Sequence, residues 1–138
     1  MIAFYPIKPV YIERILSGEK QFELRKRLPK PETKFILIYS TYPVGLVVGY
    51  AEVKGFHQST VNKLWKKVSK VSGIAKSDYL SYFGSNELAC AIEFDKVFRF
   101  ERPFKVAEVR QGFTVPQSFC YVDKEIFNRL KRRKKVLV

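Results

Sequence analysis

The chain has 138 residues, with 26 Lys and Arg against 13 Asp and Glu and a formal charge of +13. Hydrophobic residues make up 46% and aromatic ones 15%, too many for an unfolded basic tail, so the chain reads as globular with room for one core. No stretch approaches the roughly eighteen apolar residues of a membrane span, and Met1-Ile2-Ala3-Phe4-Tyr5-Pro6 lacks the basic and apolar regions of a leader.

These features lead to the expectation of a cytoplasmic protein with Cys90 and Cys120 reduced. No metal or cofactor is expected, because a lone His57 and scattered cysteines lack ligand spacing. The charge points to a polyanionic partner, nucleic acid ahead of an anionic membrane surface. Residues 129–138 carry Arg129, Lys131, Arg132, Arg133, Lys134 and Lys135 with no acid, which suggests a domain over 1–128 followed by a basic tail.

Ile2 to Ile7 reads as a strand leading into Lys8-Pro9, where proline suits the first turn of a helix. That helix runs from Pro9 to Ser17, with Ile12, Ile15 and Leu16 on one face and Gly18 as its stop. Residues 20–26 then alternate, placing Phe22 and Leu24 on one side and Glu23 and Arg25 on the other, as in a half-buried strand. Pro29 to Thr33 form a turn, and Phe35 to Tyr39 form the next strand.

After Ser40-Thr41-Tyr42-Pro43-Val44-Gly45, a strand extends from Leu46 to Val53. Gly49 inside it suggests a bulge or close backbone approach. With Ser59 or Thr60 as cap, Val61, Leu64, Trp65, Val68 and Val71 share one helical face, and Lys63, Lys66, Lys67 and Lys70 lie largely outside it. A short helix from Ser77 to Phe83 stops at Gly84.

Glu87 to Phe94 and Lys96 to Phe100 read as strands or one long bent strand, ended by Pro103. Extended pieces are expected at Lys105 to Val109 and Gln117 to Val122, and Asp123 caps a last helix carrying Ile126, Phe127 and Leu130. This order, β-α-β-β-β-α-α-β-β-β-α, does not suit a doubly wound parallel sheet. It fits an α+β fold, a small and mostly antiparallel barrel surrounded by short helices.

The densest polar cluster is Gly18, Lys20, Glu23 and Arg25, spaced G-x-K-x-x-E-x-R. A carboxylate and cations converging on a cleft suit a base edge and a phosphate, although spacing alone favours a cross-strand ion pair on a solvated face. With Pro6-Ile7-Lys8-Pro9, Tyr39 to Pro43, Val48 to Val53, Tyr82-Phe83-Gly84 and Pro116-Gln117-Ser118-Phe119, this cluster resembles the ASCH domain of the PUA-like superfamily. The resemblance implies a barrel cleft for RNA or a nucleobase. In some relatives it also implies a ribonuclease, or an amidohydrolase that removes acetyl from N4-acetylcytidine.

The amidohydrolase branch has Thr as nucleophile where this chain has Glu23, so deacetylation is disfavoured. The leading expectation is therefore single-stranded RNA or a nucleobase bound in the cleft. The candidate binding residues are Lys8, Lys20, Glu23, Arg25, Lys26, Ser40, Thr41, Tyr42, Lys63, Lys66, Lys67, Lys70, Tyr82, Gln117, Ser118 and Phe119. The alternative is a metal-independent ribonuclease in which Lys20, Glu23 and Arg25 are catalytic.

Overall fold

The structure is a computed structural model that describes residues 1–138. Strands β1 (Ile2–Ile7), β2 (Phe22–Arg25), β3 (Phe35–Ser40), β4 (Leu46–Thr60), β5 (Leu88–Phe104), β6 (Cys120–Val122) and β7 (Lys135–Leu137) are joined with helices α1 (Pro9–Leu16), α2 (Val61–Val68), α3 (Lys76–Phe83) and α4 (Lys124–Lys131). The sheet runs β2-β5-β4-β3-β1-β6, with β7 added on β5. Only β1 and β3 pair in parallel, so the sheet is mostly antiparallel as the pattern predicted.

The path is open, with β2 and β6 at its ends, rather than a closed barrel. It nevertheless curls far enough for the Arg25 guanidinium on β2 to donate to the Pro6 carbonyl on β1, four strands along the path, at 2.8 Å. Bulges provide the bending. Register shifts interrupt β4 near Gly49, where a Cβ would collide with the Phe98 carbonyl oxygen, so both readings of that glycine hold.

Alternation explains the layers. Ala3, Tyr5 and Ile7 pack with Ile12 and Ile15 of α1, whereas Ile2 and Phe4 face the opposite cluster with Phe127 and Leu130 of α4. A third cluster seats Leu64 and Val68 of α2 and Tyr79 and Phe83 of α3 on Phe22 and Leu24. Pro9 begins α1, and the Thr60 hydroxyl accepts from the Lys63 N–H at 3.3 Å to cap α2. Gly84 ends α3 as expected, while Asp123 takes the N-cap position of α4 without a side-chain bond.

Some expectations change. The strand predicted to stop at Val53 continues to Thr60, because β5 offers a partner for the polar continuation as far as Leu88. Of the two readings after Glu87 the single long strand holds, but it runs through Pro103 to Phe104 instead of ending at the proline. Val106–Glu108 is a 3-10 turn rather than extended, and only Cys120–Val122 of the Gln117 segment joins the sheet. The expected basic tail is built into the fold: Arg129 to Lys131 finish α4, and Lys135–Leu137 pair with Phe98 to Phe100. Its cations lie alongside that pairing without preventing it.

Candidate functional site

Gly18 adopts φ +85° just after α1, and the chain turns from there into β2. The Lys20 N–H donates to the Arg14 carbonyl at 2.9 Å, and the Gln21 N–H to the Val71 carbonyl at 2.7 Å. The first ties Lys20 to α1, and the second draws the α2–α3 loop over it. The Lys20 amine donates to the Ser72 carbonyl at 2.8 Å, and Arg14 holds the Gly73 carbonyl at 2.7 Å. Lys20 is thereby 3% exposed.

Glu23 is 6% exposed and lies between the cations. Its Oε1 is 3.8 Å from Lys20 Nζ, and its Oε2 is 2.8 Å from Arg25 Nη2 and accepts from Arg25 Nε at 2.9 Å. Arg25 also donates to the Pro6 and Ser118 carbonyls, at 2.8 and 3.5 Å, and lies over the Tyr5 ring. Burial lowers the Lys20 pKa from its ordinary value. Glu23 opposes that shift, and the positive charges of Arg25 and Arg14 reinforce it.

A cleft of about 610 Å³ opens over this group. Of the candidate residues it brings together Lys8, Lys20, Glu23, Arg25, Thr41, Tyr82 and Gln117. The alternation in β2 places Glu23 and Arg25 on one face, and the β1–α1 junction delivers Lys8 to the rim.

Other candidates sit elsewhere. Tyr42 is 90% exposed, next to cleft-lining Thr41, while Ser40 is buried within β3. Lys26 lies over the Tyr82 ring at 5.1 Å. Ser118 contributes its carbonyl to Arg25, and Phe119 stacks on buried Tyr5 at 5.0 Å, packed against the core. Lys63, Lys66, Lys67 and Lys70 are exposed on and just beyond α2, outside the cleft and without ion pairs. His57 contacts Glu93 Oε1 at 2.8 Å and meets Phe22 edge-on, away from the cleft lining.

Sequence reasoning missed Tyr11, Ile74, Asp78 and Ser81, which also line the cleft. A signal for part of this set was present. Asp78, Ser81 and Tyr82 fall at i, i+3 and i+4, on a face that adjoins the buried Tyr79 and Phe83. Burial also raises the Tyr82 pKa, with Arg25 opposing it. The arrangement can hold an anion at Lys8 and Lys20 and present an amine of reduced basicity beside a carboxylate.

Comparison with known proteins adds four findings. The ASCH domain model matches residues 6–98. An ASCH domain-containing ribonuclease of Zymomonas mobilis is 32% identical over 129 residues, covering 88% of this chain and 84% of that protein. The crystal structure of ASCH from Zymomonas mobilis is 31% identical with a TM-score of 0.84 over 94% of this chain and 93% of that one. The N-terminal domain of Staphylothermus marinus McrB shares the fold at a TM-score of 0.66 and 12% identity, covering 96% and 94% of the respective chains.

Proposed function

The chain belongs to the ASCH domain family, and on that premise we propose that its cleft binds single-stranded RNA. The observation that carries the reading is the joining of Lys8, Lys20, Arg25, Thr41, Tyr82 and Gln117 around one cleft. Phosphate is held by the cations and a base lies against Tyr82. Exposed Tyr42 stacks a neighbouring base, and Lys63, Lys66, Lys67 and Lys70 attract the backbone outside the cleft. The partner is RNA, met in the cytoplasm.

A second reading, strand cleavage, is favoured by the lowered pKa of Lys20 and by the ribonuclease name of the relative. In its neutral form the Lys20 amine takes the proton of a 2′-hydroxyl. That oxygen then attacks the adjacent phosphorus, and the 5′-oxygen leaves with a proton from solvent, giving a 2′,3′-cyclic phosphate. Lys8 and Arg25 face the charge that develops on the phosphate.

Labelled RNA incubated with protein in EDTA separates the two readings. Binding without shortening of the strand supports the first, and a 2′,3′-cyclic end supports the second. Lys20→Arg keeps the charge while removing a usable base, so it retains affinity and loses any cleavage. Absence of binding by wild type at moderate salt overturns both.

A further inference from the structure

The floor of the cleft carries Lys20, Glu23 and Arg25, while α3 lines its wall with Asp78, Ser81 and Tyr82. Asp78 is the unexpected member. In a chain with 26 cations and 13 acids, a carboxylate at the cleft weakens attraction for phosphate. It has no ion-pair partner and accepts no hydrogen bond from another side chain. Its place in the first turn of α3 favours a negative charge, but that benefit does not require a position facing the cleft.

Glu23 cannot take the same role, because Lys20 faces one of its oxygens and Arg25 the other. Asp78 is the cleft carboxylate left with open acceptor capacity. A cleft of about 610 Å³ lies within the roughly 300–1,000 Å³ usual for small-molecule sites, so it admits a nucleotide rather than an anion alone.

We propose that Asp78 determines base specificity by accepting a hydrogen bond from the exocyclic amino group of a nucleobase held in the cleft. This rests on the RNA reading above. Cytosine and adenine present that amino group, whereas uracil and hypoxanthine carry a keto oxygen in its place. The oxygen would face the carboxylate as a second acceptor and leave both without a donor. Ser81, one turn further along α3, offers a hydroxyl to the adjacent ring nitrogen, and Tyr82 supplies the ring against which the base lies. Phosphate then lies toward Lys8 and Lys20.

Fluorescence anisotropy with matched short oligomers tests the assignment: oligocytidylate against oligouridylate, and oligoadenylate against oligoinosinate. Wild type is expected to bind the amino member of each pair about tenfold more tightly. Asp78→Ala removes the preference, and Asp78→Asn, whose amide can both donate and accept, narrows it while keeping the side-chain volume. Circular dichroism establishes that both variants remain folded, as expected for an exposed residue.

Equal binding within both pairs by wild type overturns the assignment while leaving RNA binding in place. So does a preference that survives in Asp78→Ala, or a loss that is uniform across the four oligomers. If wild type binds none of them, the RNA reading falls and this assignment with it.

Discussion

Gly73→Ala tests whether the α2–α3 loop is the backstop that holds Lys20. Gly73 has φ +63°, and an added Cβ would stand 2.6 Å from Lys20 Cβ and 3.0 Å from its Cγ. The lysine has little room to yield, since its N–H is bonded to the Arg14 carbonyl and its amine to the Ser72 carbonyl. The left-handed backbone costs a non-glycine residue about 1–2 kcal/mol, and forcing a methyl group into a packed site costs about 1–3 more. Gly112→Ala is the control, because that glycine has φ +75° with nothing within 4 Å of the added Cβ.

Urea unfolding of the two variants should therefore differ by about 1–3 kcal/mol, with Gly73→Ala the less stable. Displacing Lys20 should also weaken RNA binding in Gly73→Ala alone. Equal losses of stability in the two variants, with RNA affinity unchanged in both, would refute the backstop.

Three further outcomes follow from the same structure. Because Lys20 in the folded state releases its proton below its ordinary pKa of 10.5, the stability of wild type relative to Lys20→Met should rise as pH climbs from the folded pKa to 10.5. A flat difference in urea unfolding across that window would contradict the burial of a charged amine. Tyr42→Ala and Tyr82→Ala should each weaken binding of a single strand by about 1–3 kcal/mol in anisotropy titrations. Tyr42→Ala should do so without altering thermal unfolding, given its exposure of 90%. Arg25→Lys loses the planar fork that ties β2 to the Pro6 and Ser118 carbonyls, so hydrogen exchange should quicken in β1 and in residues 117–122.

The local parts of this fold were legible where one residue type has one physical use. Pro9 and Gly18 bracket α1, Thr60 caps α2, and Gly49 marks the bulge where β4 approaches β5. The hidden parts depend on distant partners. Lys54 to Thr60 carry no apolar run, and they become strand because β5 is present to pair with them. Lys135–Leu137 sit among charges that suggested a solvated tail, yet their backbone completes an edge of β5.

The site divides in the same way. The alternation of β2 put Glu23 and Arg25 together, but the burial of Lys20 depends on residues 71–73, a loop about fifty positions away that no local pattern connects to it. The spacing of Asp78, Ser81 and Tyr82 was readable as a helix face. That it faces the Lys20 cluster was not, because α3 is oriented by the packing of Tyr79 and Phe83 on the sheet.

Glu23 and Lys20 are so closely placed that loss of either can disable a reaction, and the direction of a pH shift tells their roles apart. Glu23 raises the Lys20 pKa against the effect of burial, so Glu23→Gln should lower it further and leave more neutral amine at a given pH. If Lys20 takes the 2′-hydroxyl proton, the ascending limb of the cleavage profile, where the amine loses its proton, moves to lower pH in Glu23→Gln while activity persists. If Glu23 takes the proton itself, the amide abolishes cleavage at every pH. The variant breaks a buried pair and is expected to lose about 3–5 kcal/mol of stability, so rates are compared only where circular dichroism shows it folded. A profile that keeps both its position and its height would exclude both carboxylate and amine as the base and place the proton acceptor on another group.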